Sequence, residues 1–226
     1  EKINFVLRIS GYPKLNLIRK YYWKFFLKKV KAVTCPTLEL KEHLENEKIF
    51  NKDKIFFLPD AIIDVNDFSK KKNELINLPP NKKFILAVGR LTKQKNYTFM
   101  VNEIASFLLE NKDYNLIILG DGECKKEIQN EILRLNITDQ VLMLGYINNP
   151  YPYMKKSSVL VLSSLWEEVG FVLVESALSN LLIISSNCKN GPKEFLSYGR
   201  AGYLFESNKK DHLKKEILKI KYNNLE

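Results

Sequence analysis

The run Ser158-Val-Leu-Val-Leu-Ser-Ser-Leu-Trp-Glu-Glu-Val-Gly-Phe-Val-Leu-Val-Glu175 reads as a buried strand, a glycine-containing turn and the opening of a helix. Val159 to Leu162 are apolar without alternation, and Phe171 to Asn180 has helical spacing that begins just after Gly170. Two carboxylates, Glu167 and Glu175, stand eight residues apart across the turn. On one helix they would lie about 80° apart around the axis and roughly 12 Å apart along it, so they do not share a helical face. Glu167 is therefore expected in the loop at the strand's carboxyl end and Glu175 about a turn into the helix. Amides of a first helical turn lack partners within the helix, and the helix dipole favours an anion there, so the turn suits the phosphate of a phosphosugar.

The same strand-then-helix unit repeats on either side of this stretch. Strands are expected over Lys83–Val88, Asn115–Leu119, Val141–Leu144, Val159–Leu162 and Leu182–Ser185. Helices are expected over Asn96–Glu110, Cys124–Leu135, Asn149–Lys156 and Phe171–Asn180, with a short one from Pro192 and a last one near Lys209–Ile220. Phe84-Ile-Leu-Ala-Val88 and Leu116-Ile-Ile-Leu119 are apolar throughout, as parallel strands covered on both faces require. Residues 82–226 thus read as a doubly wound parallel-sheet domain of Rossmann-like α/β class. Residues 1–65 carry an incomplete α/β segment: strand Ile3–Ile9, helix Leu15–Val30, strand Ala32–Cys35, helix Leu38–Asn46 and strand Lys54–Leu58. Between the two, residues 66–81 are polar and lysine-rich, are closed by the pair Pro79-Pro80, and read as a linker or a weak edge element.

The chain has 226 residues and a formal net charge of +10, which implies an anionic partner without choosing among nucleic acid, membrane and phosphorylated small molecule. Its distribution is more informative. Lys14 to Lys31 holds seven cationic residues and no acid, interleaved with Leu15, Ile18, Tyr22, Trp23, Phe25, Phe26 and Val30 at helical spacing. Such a helix suits an anionic bilayer surface; the alternative is a surface helix with its aromatic face in the core and its lysines in water. Cys35, Cys124 and Cys188 form no metal-type pair and no even disulfide set, which fits a reducing compartment. With only His43 and His212, neither a histidine triad nor a zinc site is expected. The residues Glu1-Lys-Ile-Asn4 do not have the form of a signal peptide, and no apolar run reaches the ~18 residues of a membrane span, so a cytoplasmic location is expected.

In open parallel sheets ligands bind beyond the carboxyl ends of the strands. Five glycine-containing exits follow the expected strands: Gly89 to Asn96, Gly120 to Glu123, Gly145 to Ile147, Glu167 to Val172, and Asn190 to Glu194. Arg90 and Lys95 leave one exit and can neutralise a diphosphate, or stand as two solvated loop cations. Gly120-Asp-Gly122 lacks the third glycine of a dinucleotide fingerprint and reads as a tight turn, and no Walker-type loop is present. Glu167 and Glu175 can be exposed acids near a helix start. Against this, the surroundings of Glu175, Phe171-Val-Leu-Val-Glu-Ser-Ala-Leu178, are uncharged, and a lone acid in apolar company needs a hydrogen-bonding partner.

Several of these segments together resemble a known family. Gly89-Arg-Leu with Lys95, Leu-Gly145 with Tyr146, Ser-Leu-Trp-Glu167 with Gly170-Phe171 and Glu175, and Gly191-Pro-Lys-Glu194 before Ala201-Gly-Tyr-Leu-Phe205 are similar to the group 1 (family 4) retaining glycosyltransferases of the GT-B fold. The likeness runs from about Phe84 to Phe205. Residues 32–64, with Cys35-Pro-Thr37 and the stretch from Leu58 to Asp64, look like the end of that family's N-terminal domain and its hinge. The resemblance implies a donor site for a UDP- or GDP-sugar, with Gly89, Arg90 and Lys95 at the diphosphate and Glu175 on the ribose hydroxyls. It also implies that the amides of Gly170, Phe171 and Val172 face diphosphate and sugar, and that the backbone near Tyr146 meets the base. Glu167 is the implied catalytic carboxylate on the donor sugar, with no metal and no cofactor. Retention of anomeric configuration and a glycan or lipid-linked acceptor, met at the cytoplasmic membrane face, follow from the same likeness. Where the family usually has Glu-Gly-Phe-Gly, this chain has Glu167-Glu-Val-Gly170. Two other readings stand beside the enzyme: a donor-binding fragment that depends on a partner, and a basic nucleic-acid-binding module, for which the chain carries no recognised motif.

Overall fold

A computed structural model of the chain describes residues 4–61 and 63–223. The expected strand start at Ile3, and Ile62 of the hinge stretch, lie outside the described residues. The N-terminal unit consists of β1 (Val6–Arg8), α1 (Leu17–Phe26), β2 (Ala32–Cys35), α2 (Leu38–Asn46) and β3 (Ile55–Phe57). Then follow α3 (Val65–Lys71), β4 (Lys83–Val88), α4 (Tyr97–Glu110), β5 (Tyr114–Leu119), α5 (Lys125–Arg134) and β6 (Val141–Gly145). The remainder is α6 (Tyr151–Lys156), β7 (Val159–Leu162), α7 (Phe171–Leu178), β8 (Leu182–Ser186), α8 (Pro192–Phe195), β9 (Tyr203–Phe205) and α9 (His212–Asn223).

The strands form two parallel sheets, one in the order β1-β2-β3 and one in the order β6-β5-β4-β7-β8-β9. Renumbered from β4, the larger sheet runs 3-2-1-4-5-6, the doubly wound order whose direction of winding reverses between its first and fourth strands. That switch point lies between β4 and β7, paired as Ile85↔Val159 and Leu86↔Leu160. Alternate residues of β4 feed two cores: Ile85 and Ala87 pack with α4, α5 and α9, and Phe84 and Leu86 with α7 and Met154 of α6. Burial on both faces explains why these strands read as unbroken apolar runs.

Two expectations are revised and one open alternative is decided. The stretch read as a linker opens with α3, whose N-terminus is capped by Asp64 accepting from Asn66 N and Asp67 N, and whose Phe68 packs edge-on against Tyr151. A sixth strand, β9, was missed because it has only three residues and follows an irregular turn in which Tyr198 is left-handed. The alternative concerns α1. None of its residues is buried, and Leu17, Ile18, Tyr21, Tyr22, Phe25 and Phe26 are all exposed, so its aromatic face is not in the core. At about 100° per residue these six cover one half of the helix, opposite the side on which Trp23 meets Phe50 and Lys20 pairs with Glu47. Among the described residues no helix is long and apolar enough to cross a membrane.

Candidate active site

The exits of β4 and β7 meet at the switch point and are stitched together. Ser163 Oγ donates to Lys95 O at 2.7 Å, Leu165 N to Gln94 O at 2.8 Å, and Gln94 Nε2 to Trp166 O at 2.8 Å. This frame brings Lys95 Nζ to 2.6 Å from Glu167 Oε1, with the two side chains 15% and 6% exposed. Ser164 Oγ donates to the same oxygen. Lys95 is therefore not the free loop cation of the sequence alternative but half of a buried ion pair. An ammonium has three donors, so Lys95 can keep Glu167 and still reach a second anion.

Beside this pair opens a cavity of about 410 Å³. Gly89, Arg90, Lys95, Glu167, Gly170, Phe171, Val172 and Glu175 all line it, which brings together the residues picked out from the sequence with one exception. Tyr146 is 76% exposed at the exit of the edge strand β6 and does not line the cavity. Gln94, Trp166, Glu168 and Val169 also line it and were not foreseen as site residues. Their signal was present, since they adjoin Lys95 and Glu167 in sequence.

Local geometry explains the glycines. Gly120 leaves β5 against the Gly89 carbonyl, and a Cβ there would lie 1.9 Å from Gly89 O. Gly120-Asp-Gly122 is thus the close turn expected, and it lets the first two exits run side by side. Gly170 has the left-handed φ of 75° and precedes α7, whose first residues Phe171 and Val172 line the cavity. Glu175, in the second turn of α7, has no side-chain hydrogen bond among the described residues, and burial pushes its carboxyl above the usual range. The partner that its apolar surroundings call for is not supplied by the described residues; Glu175 lines the cavity instead. The Cys188 thiol lies close enough to feel Glu167 and Lys95, and burial pushes it up to about 11, so it stays protonated and is a poor nucleophile.

The N-terminal unit closes over the other side of the rim. Glu194 accepts from Leu38 N at 2.9 Å and Glu39 N at 3.0 Å, in the first turn of α2. In return Glu39 Oε2 accepts from Asn190 N at 2.9 Å, and Thr37 Oγ1 donates to Asn190 Oδ1 at 2.5 Å. Glu168 reaches across to the loop after β1, where a Cβ on Gly11 would lie 3.4 Å from its Cγ. The extra carboxylate of the turn therefore stands at the cavity mouth between the two units.

Residues 68–226 match the family model described as "Glycosyl transferases group 1". A Campylobacter jejuni relative, N-acetylgalactosamine-N,N'-diacetylbacillosaminyl-diphospho-undecaprenol 4-alpha-N-acetylgalactosaminyltransferase, is 36% identical over 144 residues, 64% of this chain and 38% of its own length. The UDP-Gal:alpha-D-GlcNAc-diphosphoundecaprenol alpha-1,3-galactosyltransferase of Escherichia coli is 28% identical over 226 residues, 96% of this chain and 58% of its own length. The chain thus spans about half the length of the relatives that it matches. Among solved structures, Anabaena Alr3699/HepE in complex with UDP superposes with a TM-score of 0.80 at 15% identity, covering 98% of this chain and 63% of that one. The chain belongs to the group 1 glycosyl transferases, and its fold is of the GT-B type.

Proposed function

We propose that the protein transfers a sugar, with retention of anomeric configuration, from a UDP- or GDP-sugar to a cell-surface polysaccharide or lipid-linked acceptor. The observation that carries this reading is the switch-point cavity, one volume lined by Arg90, Lys95, the first residues of α7 (Phe171 and Val172), Glu167 and Glu175, the last without a side-chain hydrogen bond among the described residues. Glu175 accepts from the ribose hydroxyls, which supply the hydrogen bonds that its half-buried carboxyl lacks among the described residues. Arg90, Lys95 and the α7 amides hold the diphosphate and offset the charge that grows on it as the glycosidic bond breaks, a task that in other sites falls to a divalent ion. Glu167 orients the donor sugar and stabilises positive charge at its anomeric carbon, and the acceptor hydroxyl enters on the face that the diphosphate leaves. The two relatives named above act on diphosphoundecaprenol-linked substrates, which supports a lipid-linked acceptor. Incubation with UDP- and GDP-sugars plus membrane lipid extract tests the reading. Release of nucleoside diphosphate that falls at least about 100-fold in Glu167→Gln is expected; equal release by wild type and variant would contradict it.

A lipid-linked acceptor calls for contact with a membrane, and α1 has the form for it. Its outward apolar half is flanked by Arg19, Lys24 and Lys28, so it can lie peripherally on an anionic surface at the cytoplasmic face. A second reading, dependence on further polypeptide, is favoured by the small sheet. A parallel sheet is normally covered on both faces, yet Val6 and Phe56 stand 61% and 49% exposed on the open face of this one. Co-purification of a second polypeptide that restores transfer would support that reading, and full activity of the isolated chain would exclude it.

A further inference from the structure

Glu167 is held at one oxygen only. Lys95 Nζ and Ser164 Oγ both donate to Oε1, and Oε2 accepts no hydrogen bond among the described residues. Ser164 is itself fully buried, and its carbonyl is fixed from the far side by Ser186 Oγ at 2.6 Å and Ser207 Oγ at 3.2 Å, which leave the neighbouring strands β8 and β9. The hydroxyl of Ser164 thus comes from a backbone position tied to three strand exits, whereas Lys95 reaches Glu167 through a long, flexible stem. A diphosphate beside Arg90 would take up other donors of the Lys95 ammonium and draw on its flexible stem, so Ser164 is the rigid one of the two groups that hold Glu167 in its rotamer.

We propose that Ser164 is the positioning residue of this site: its hydroxyl fixes Glu167 Oε1 so that Oε2 is presented to the hydroxyl groups of the donor's sugar. The inference rests on the donor-site reading above. Its consequence is specific, because a group that acts through Glu167 affects the sugar and not the nucleotide. Ser164→Ala removes one donor and a single oxygen from a buried position and leaves no partner unsatisfied except Glu167 itself, which keeps Lys95.

The test compares affinity for UDP and GDP alone with affinity for UDP-glucose, UDP-galactose, their N-acetylhexosamine counterparts and GDP-mannose, by calorimetric titration of wild type, Ser164→Ala and Ser164→Thr. In Ser164→Ala, affinity for the bare nucleotide is expected within about twofold of wild type, and affinity for the bound nucleotide sugar about tenfold weaker. Ser164→Thr, which keeps the hydroxyl, is expected to recover most of that loss. An equal effect of Ser164→Ala on nucleotide and nucleotide sugar, or no effect on either, overturns the positioning role while leaving the donor site intact. Should Ser164→Thr misfold by circular dichroism, the split between nucleotide and nucleotide sugar in Ser164→Ala decides alone. Failure of the wild type to bind any of these compounds overturns the donor site and the inference together.

Discussion

Lys95 and Glu167 show how a single pair ties stability to chemistry. Both side chains are nearly out of water, and removing one partner from such a pair strands the other charge, at a cost of about 3–5 kcal/mol. Lys95→Met is accordingly expected to lose about that much in urea unfolding, and Lys95→Met/Glu167→Leu to regain most of it; additive losses would show that the pair is not coupled. Glu175 makes the opposite prediction. Burial raises its carboxyl above the ordinary 4.5, so ionising it costs the folded state. The stability gained from its protonated form is fully present below the unfolded value and is lost as pH rises through the folded one. Glu175→Gln should therefore melt higher than wild type at pH 7, the gap closing as pH falls toward 4.5, while nucleotide binding weakens. A melting temperature at or below that of wild type at pH 7 would contradict the burial argument. At this scale much of the site was legible in the sequence, because Glu167 and Glu175 were separated by a spacing that no single helical face allows. That Lys95 closes on Glu167 was not legible: residues 72 positions apart meet only through sheet order. The hydrogen bonds that set this contact, from Ser163 and Ser164, use side chains that sequence alone leaves neutral.

Among the elements, strands were the easiest to read, since parallel strands covered on both faces carry unbroken apolar runs such as that of β4. Helices covered on one side were also legible, and α2 has the bounds that its Thr37 cap and apolar spacing imply. The stretches that misled are those whose stability comes from elsewhere. α3 is seven residues long and lysine-rich, and is held by the Asp64 cap and by Asn149 Nδ2 donating to Lys71 O at 3.0 Å. α1 left two readings open. Its spacing gave the helix but not which side faces outward, because the same amphipathic moment suits a core or a membrane. With six large apolar side chains turned to solvent, α1 is expected to bind vesicles containing phosphatidylglycerol and to release them at high salt. Phe25→Ser/Phe26→Ser should abolish binding, and neutralisation by Lys24→Gln/Lys28→Gln should weaken it by about 2 kcal/mol. Equal binding to neutral vesicles, or no change on either substitution, would count against a membrane surface as the partner of this face.

The molecule as a whole is two sheets joined at a rim where function is expected to reside. Glu194 belongs to the larger unit and Leu38 and Glu39 to the smaller, so the reciprocal bonds between them and Asn190 fix how the β1 exit faces the α7 turn. Glu194→Ala removes a carboxylate from two backbone amides, a loss of about 2 kcal/mol that falls on the N-terminal unit. Hydrogen exchange should then quicken across residues 37–46 and stay unchanged across 83–88; uniform quickening would mean that the two units unfold as one. Function at this rim depends on what occupies the cavity at the exits of β4 and β7. Calorimetric titration of the wild-type chain and Glu175→Ala with UDP, GDP and their sugars tests this most directly. The account requires one nucleotide series to bind at a single site and to weaken at least about tenfold in the variant. Absence of binding by both series, or binding that Glu175→Ala leaves untouched, would contradict it.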